Sequence, residues 1–394
     1  MLIGVVGKPS VGKSTFFKAA TMMNVEIANY PFTTIKPNRA VGFVKVNCVD
    51  QEFEIQCTPR EGYCVNHKRF VPVELIDVAG LVPGAHEGKG KGNQFLDDLN
   101  QAHALIHVID ISGSVNENGE SVEPLSYDPL YDVEFLENEL DMWYLGIIKK
   151  GWAKFVRTCK VENLETYKAV SNQLSGLRVT EDIAKTIMKD FSKDLTTWSE
   201  AELKRFAHEL RTFSKPMLIV ANKADIPGAS KNVERLKSKY PSSIIIPCSA
   251  ISELTLKEAD KSRFLNYIPG DSSFEVVKEL LPDQEKGLEY IKKNILDQFG
   301  HTGVQEALNI VVFDLLDYIA VFPGGLGKMI DSNGRTLADC FLLPCGSTAL
   351  DFAYKLHTDF GENFVKAIDV KKRIPVGKEH LLKNLDVIEI KASK

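Results

Sequence analysis

The sequence predicts an α/β fold with a helical insertion and a small α+β domain at its C-terminal end. Three observations carry that expectation. Short β-branched apolar runs alternate with helical segments over the first ~110 residues. The apolar period then changes to three and four from Asp128-Pro129 onward. Short strand candidates punctuated by Gly and Pro take over from about residue 317.

The early runs are "LIGVV", "RAVGFVKV", "VPVELI" and "ALIHVID", with a helix expected from Lys13 and another at "NQFLDDLNQ". Continuous apolar strands between helices predict a parallel sheet covered on both faces. "PMLIVA" (216–221) and "SIIIPC" (243–248) would complete the same sheet. Between them Val133, Leu136, Leu140, Trp143 and Ile147 mark one face of an amphipathic helix, and Leu164, Tyr167, Val170 and Leu174 continue it. "SEAE" (Ser199 to Glu202) is a capping box that opens a helix running to about Phe213. Mutual packing of these helices accounts for the stripe. The expected division is an α/β domain of residues 1–127 and 214–316, an inserted helical domain of 128–213 and a C-terminal domain of 317–394. In the last, "YIAVF", "FVKAIDV" and "DVIEIKA" are strand candidates and "STALDFAYKLH" a helix.

With 394 residues, 44% hydrophobic and 26% charged, the chain has a globular composition. A net charge of -5 argues against a broadly polybasic nucleic-acid binder, which needs surplus Lys and Arg to displace counterions from phosphates; DNA is not an expected partner. A local RNA-binding patch remains compatible. No signal peptide or membrane-length apolar run is apparent, so the chain reads as soluble and cytoplasmic. Seven cysteines fit a reducing compartment. Cys57, Cys64 and His67 lie close together, but without a CxxC pair or an obvious fourth ligand they read as buried or idle thiols in a hairpin rather than as zinc ligands.

"GKPSVGKST", comprising Gly7, Lys8, Pro9, Ser10, Val11, Gly12, Lys13, Ser14 and Thr15, satisfies G-x-x-x-x-G-K-[ST] between a strand and a helix. Glycines let backbone N–H groups close round phosphates, Lys13 neutralises the β and γ phosphates, and the Ser14 hydroxyl ligates Mg²⁺. "LIDVAG" ends a strand at Asp77, which can hold the magnesium through water, and Gly80 follows where a backbone N–H could sense the γ-phosphate. "NYPFTT" offers Thr33 or, preferably, Thr34 as a further magnesium ligand. "NKAD" follows a strand directly. The Asp225 carboxylate can accept from N1–H and the 2-amino group of guanine, where adenine offers neither donor, so GTP and GDP are the expected ligands. Asn222 would reach the other edge of the base and tie the loops together, and the Lys223 stem would cover its face. Ser249 and the Ala250 N–H, in "CSAI", would serve the guanine O6.

These residues resemble Obg-family GTPases, closest to the YchF branch, through "GVVGKPSVGKSTFF", "EIANYPFTTI", "DVAGLVPGAHEGKGKGNQFLDDL" and "LPCGSTALDFAYKLHTDFGENFVKAI". The resemblance covers nearly the whole chain. It implies a Ras-like G domain, an inserted helical arm, and a ubiquitin-like β-grasp TGS domain associated with RNA and ribosome binding. Many YchF proteins carry Glu in place of Asp225 and handle ATP; "NKAD" resembles the archaeal and fungal subgroup with the guanine reader. Ser10 stands where potassium-activated relatives carry Asn, so no potassium site is inferred. The catalytic His that some relatives place after "HVID" has no counterpart, since no His occurs between His107 and His208.

Leu81 follows Gly80 where Ras-like enzymes place a water-orienting Gln, and an aliphatic side chain cannot orient water, so slow intrinsic hydrolysis is expected. His86 is the local candidate base, against the plainer reading of a solvated loop histidine, which also fits Lys89 and Lys91. Glycines at 84, 88, 90 and 92 would let this loop order on the γ-phosphate and relax after its loss. Lys371, Lys372 and Arg373 form one basic cluster, and RNA contact there rests on the resemblance. The expected function is a magnesium-dependent GTPase switch associated with ribosome or RNA through the TGS domain and helical arm. An ATPase of the same fold and a nucleotide-sensing module without significant hydrolysis are the competing readings.

Overall fold

The computed structural model describes residues 1–22, 38–78, 98–162, 165–327 and 329–393. Its main sheet contains β1 (Leu2–Val6), β2 (Arg39–Asn47), β3 (Tyr63–Val65), β4 (Lys68–Asp77), β5 (Ala104–Asp110), β6 (Met217–Asn222) and β7 (Ile245–Pro247). The order is β2-β4-β1-β5-β6-β7, with β3 paired to β4. Five of these strands run parallel, as the apolar runs predict. The expectation of an all-parallel sheet is corrected at one edge: β2 and β3 are antiparallel to β4. For β3 the reason is local. β3 and β4 are joined by a tight turn with Asn66 at φ 47 and His67 at φ 58, and a two-residue turn of that hand can connect only antiparallel strands.

Register then builds the site. Val5 pairs with Asp77, Val6 with His107, and Asp110 with Asn222, so the C-terminal ends of β1, β4, β5 and β6 share one edge. Open α/β sheets bind ligands at that edge.

Helices cover both faces. On one, α1 (Lys13–Thr21) packs with the later helices Ala250–Lys261 and Val304–Ile310, and Phe16, Ala19, Val108, Leu254 and Leu308 share a core. On the other lies α2 (Leu130–Lys149), which departs from the expected single stripe. Its first half buries Leu136 and Leu140 against Leu2, Ile76 and Leu105 of the sheet; its second half buries Tyr144, Leu145 and Ile148 in a separate helical cluster. Its first turn adds Leu130 and Val133 to a further cluster with Ile109 and Ala221, and one helix thus serves three cores because it is 20 residues long, roughly 30 Å, which outruns the sheet.

The separate cluster is completed by α3 (Trp152–Val161), α4 (Thr166–Gln173), α5 (Glu181–Ile187) and α6 (Glu200–Ser214). Leu164 of the expected stripe lies outside the described residues. The capping box is formed: Glu202 N–H donates to Ser199 Oγ, and Ser199 N–H donates to the Glu202 carboxylate at 2.7 Å. An aromatic knot of Trp152, Phe191, Trp198 and Phe206 fills the interior, with Trp198 and Phe206 centroids 4.9 Å apart. After α6 come α7 (Ala229–Lys239), α8 (Ala250–Lys261), the short pair β8 (Leu265–Asn266) and β9 (Glu275–Val276), α9 (Pro282–Ile291) and α10 (Val304–Ile310). The last two helices continue into π-type turns at Lys292–Leu296 and Val311–Leu315.

The C-terminal sheet has the order β11-β10-β14-β12-β13, from β10 (Tyr318–Pro323), β11 (Phe341–Pro344), β12 (Phe364–Asp369), β13 (Ile374–Val376) and β14 (Val387–Ala392). α11 (Ala349–Leu356) packs Phe352 against Val321, Ala367 and Ile388. The sequence indicates β10, β12, β14 and α11; β11 and β13, four and three residues long, carry too little pattern to be read. Phe322, Leu337, Val370 and Val387 join Val71, Val73 and Cys57 in a single core, so the C-terminal domain is fused to the β2–β4 edge rather than tethered. Thr58 and Arg60 N–H donate to the carbonyls of Thr336 and Ala338 at 2.8 Å, and the fully buried Arg69 guanidinium donates to those of Leu337 and Ala338.

Candidate functional site: a phosphate cradle and a base-reading tetrad

The loop between β1 and α1 is fixed by backbone requirements. A Cβ on Gly7 would stand 2.4 Å from the Val108 carbonyl oxygen, and Gly12 has φ 90 with a would-be Cβ 2.3 Å from Asn222 Nδ2. Only glycine fits either place, which keeps the loop close against the sheet with its N–H groups free to cradle an anion. Ser14 lies in the first turn of α1, exposed, its hydroxyl without a partner among the described residues. Lys13 Nζ donates to the Asp77 carboxylate. The Lys13 cation and the Asp77 carboxylate therefore sit side by side. A hydroxyl and a carboxylate are the hard oxygen donors that suit Mg²⁺, so the residues present fit that ion.

Thr33, Thr34, Gly80, Leu81 and His86 lie outside the described residues.

Lys8 requires a correction. Its side chain turns away from the cradle and is buried, donating to the Asp132 carboxylate at 2.8 Å and the Val115 carbonyl at 3.0 Å, with Nζ 4.0 Å from the Tyr127 ring centre. Any contact Lys8 makes with phosphate is left to its backbone N–H. Burial pushes the Asp132 carboxyl above its ordinary range, opposed by Lys8 and by the Tyr127 hydroxyl, which donates at 2.9 Å. Ser10 donates to the Gly119 carbonyl at 2.8 Å, so the 112–127 segment is fastened to the loop at two points.

The tetrad is more interlocked than the sequence suggests. Asn222 donates through Nδ2 to the Val11 carbonyl at 2.8 Å and accepts from the Ala250 N–H at 3.0 Å. It ties the loops together, as its position at the end of β6 predicts. Its Nδ2 group carries two N–H bonds, of which Val11 takes one, so a second donor remains for the far edge of the base. The bond to Asn222 engages the Ala250 N–H expected at guanine O6. The Ser249 hydroxyl is likewise engaged, as the cap of α8 with a 2.7 Å bond to Ser252 Oγ, and is a positioning group. Lys223, at φ 62, extends Nζ to Asp110 Oδ2 at 3.0 Å and Ser114 Oγ at 3.1 Å. Asp225 is half-buried; its carbonyl accepts from the Tyr290 hydroxyl at 2.9 Å, and the same hydroxyl lies within hydrogen-bonding reach of its carboxylate. It also lines a cavity of about 510 Å³ with Ile251, Phe264, Leu288 and Tyr290.

Asp110 was missed. It is buried at the end of β5 and accepts from the N–H groups of Ser112 and Ser114, so it both shapes the turn and anchors Lys223. A strand-ending Asp followed by Ser-x-Ser is the signal that could have shown it, because such carboxylates bond the backbone two residues on. In the basic cluster, Lys371 pairs with Glu52 at 2.6 Å and Lys372 with Asp369, so two of its three charges already have acidic partners.

Fold and edge define a P-loop GTPase of the guanine-reading type. Residues 2–135 match the family described as 50S ribosome-binding GTPase, 220–324 the family described as Obg-like GTPase YGR210-like, G4 motif-containing domain, and 326–392 the TGS domain. A GTP-binding protein of Methanocaldococcus jannaschii is 47% identical over 99% of this chain and 98% of its own length. A Schizosaccharomyces pombe GTP-binding protein is 34% identical, covering 89% of this chain and 88% of its own. The crystal structure of a GTP-binding protein from Pyrococcus horikoshii superposes with a TM-score of 0.78 at 37% identity, covering 100% of both chains. The chain belongs to the Obg-like, YchF-type family of GTP-binding proteins. Among more distant relatives, the Mycoplasma pneumoniae protein named ribosome-binding ATPase YchF is 28% identical, covering 75% of this chain and 76% of its own.

Proposed function

We propose that this protein is a slowly hydrolysing GTP switch whose nucleotide state governs association with the ribosome or its RNA. The observation that carries the choice of base is the half-buried Asp225 carboxylate, three residues past the end of β6, with the Tyr290 hydroxyl beside it. An ionised carboxylate keeps acceptor positions to spare beside that one hydroxyl, and guanine supplies two donors for them where adenine does not.

In this reading Lys13 exchanges Asp77 for the β and γ phosphates, and Gly7 to Thr15 present backbone N–H groups to the same oxygens. Ser14, Thr34 and Asp77 (the last through water) would hold Mg²⁺, which when bound neutralises charge on the triphosphate tail. Asn222 keeps base loop and phosphate loop in register. Ala250 N–H reaches the base oxygen by sharing or exchanging its bond to Asn222. Leu81 leaves hydrolysis slow, with His86 the candidate for polarising water. The names of the YchF relatives and the TGS match support ribosome association.

Two measurements test this. Nucleotide titration should show GTP bound far more tightly than ATP; equal affinity overturns the reading of Asp225. In Asp225→Asn, loss of two charge-assisted bonds of about 1.5–3 kcal/mol each should weaken GTP by roughly 10²–10⁴ while admitting xanthosine triphosphate, whose C2 oxygen accepts from an amide. Co-sedimentation of the full chain with ribosomes should depend on GTP analogue against GDP, and equal pelleting in both defeats the switch. Single-turnover phosphate release with and without ribosomes then separates a slow enzyme from a pure sensor.

A further inference from the structure

The segment between β2 and β4 gathers four metal-binding side chains away from the nucleotide edge. Cys48 follows β2, Asp50 lies in the first turn of the 3₁₀ segment Val49–Phe53, Cys57 sits in the stretch after it, and Cys64 is the middle residue of β3. The three sulfurs and a carboxylate oxygen of Asp50 all lie within 4.8 Å of one another. Cys48 and Cys57 Sγ are 3.5 Å apart, and Cys64 Sγ is 3.9 Å from Asp50 Oδ2. A tetrahedron with Zn–S of about 2.3 Å has S···S edges of about 3.8 Å, so these separations need little adjustment to surround one ion.

The outer contacts point the same way. Asp50 is fully buried, and His67 Nδ1 holds its Oδ1 at 2.9 Å while Cys57 N–H donates to Oδ2 at 3.0 Å. A ligand carboxylate is commonly oriented by such partners. The guanidinium of Arg69 lies 3.8 Å from Cys57 Sγ and would offset part of the negative charge that three thiolates and a carboxylate leave after a divalent cation binds. Thiolate sulfur selects Zn²⁺ over Mg²⁺ or Ca²⁺. A Cys48–Cys57 disulfide is the competing use of the pair, but it would leave the third sulfur, Cys64 Sγ, gathered beside them and Asp50 with no shared ligand.

We infer that Cys48, Cys57, Cys64 and Asp50 form a tetrahedral Zn²⁺ site, with His67 orienting Asp50, and that the ion pins the loop on which the C-terminal domain is docked. Binding displaces the thiol protons to solvent and leaves the sulfurs as thiolates. The consequence follows from connectivity: Thr58 and Arg60, one and three residues after Cys57, make the backbone bonds to Thr336 and Ala338. Sequence spacing alone offers Cys57, Cys64 and His67; the fold supplies Cys48 and Asp50 and moves His67 to an outer role.

The test uses the full chain, untagged and reduced, from zinc-supplemented culture. Elemental analysis should find about one zinc per chain, and the stripped protein titrated with Co²⁺ should develop the near-ultraviolet thiolate charge-transfer and visible bands of a tetrahedral site, abolished by added Zn²⁺. Cys64→Ser, at a half-buried position, should remain folded and lose the full band intensity, and His67→Ala should weaken zinc by about ten- to a hundredfold. Amide exchange at Thr58 and Arg60 should quicken when zinc is removed, with β1 unaffected. A wild-type chain that takes up neither metal, or whose mass under non-reducing conditions shows a Cys48–Cys57 disulfide, overturns the site. Unchanged exchange at Thr58 and Arg60 overturns the clamp.

Discussion

Replacing Lys8 by Met tests the division of labour within the phosphate loop. Lys8 and Asp132 are 7% and 6% exposed and 2.8 Å apart, so the substitution strips a buried carboxylate of its cation. Breaking such a pair costs about 3–5 kcal/mol. Two features move the figure toward the lower end: the Tyr127 hydroxyl still donates to Asp132, and a carboxyl already pushed upward by burial can take up a proton. Loss of the donor to the Val115 carbonyl adds about 1 kcal/mol. The expected loss is therefore about 3–4 kcal/mol at neutral pH. It shrinks as pH falls, because a carboxyl raised in the folded state takes up its proton before the unfolded chain does and the fold gains relative to it.

Urea unfolding of Lys8→Met, Asp132→Leu and the double variant closes a cycle. The pair of apolar replacements should cost much less than the sum of the singles, giving a coupling above about 2 kcal/mol. GTP-analogue titration on the same proteins should show Lys8→Met binding nucleotide while Lys13→Ala does not. Additive single effects would refute the buried pair. A folded Lys8→Met as defective in binding as Lys13→Ala would refute the orientation of Lys8.

Three further outcomes are expected. His107 is completely buried in β5 and its pKa is pushed down to about 3 from 6.5, first by burial and then by Lys8. The stability it supports is full above pH 6.5 and drains as pH falls toward 3, amounting to about 2 kcal/mol between pH 7 and 5; His107→Val should flatten urea-unfolding stability over that interval, and an unaltered slope counts against it. Gly12→Ala forces a Cβ onto Asn222 and strains a positive φ, so GTP affinity should fall steeply with loss of the Asn222 to Val11 bond, read by titration and by the Asn222 side-chain amide resonances. Arg69→Met deletes the two charge-assisted bonds to the Leu337 and Ala338 carbonyls and should raise proteolytic cleavage around residues 324–340, with about 3–6 kcal/mol lost from the unfolding free energy.

Much of the fold was legible because its signals are local. Strand, glycine loop and helix succeed one another within 21 residues, "SEAE" caps α6 by its own side chains, and "NKAD" follows β6 without a gap. Where sequence reasoning fell short, the missing quantity was a contact between distant segments. β2 reads as one more apolar run, and only its pairing with β4 makes it antiparallel. Lys8 belongs to the motif by position, yet a carboxylate 124 residues away draws its side chain out of the cradle. No helix among the described residues is long and apolar enough to cross a membrane.

By itself the sequence determined the chemistry on offer: backbone N–H groups at two obligatory glycines, a cation, a hydroxyl and a carboxylate in the right order, and an acid suited to guanine. The tertiary structure alone decided which of these groups remain available. It bonded Asn222 to Val11 and Ala250 and Ser249 to Ser252, set the Tyr290 hydroxyl beside Asp225, fused the C-terminal domain into the sheet's core and drew Cys48 and Asp50 to Cys57 and Cys64. The physical reason is that a residue's type and backbone neighbours are written along the chain, whereas the partner that satisfies its buried polar atom is fixed only when strands and helices far apart in sequence are packed together.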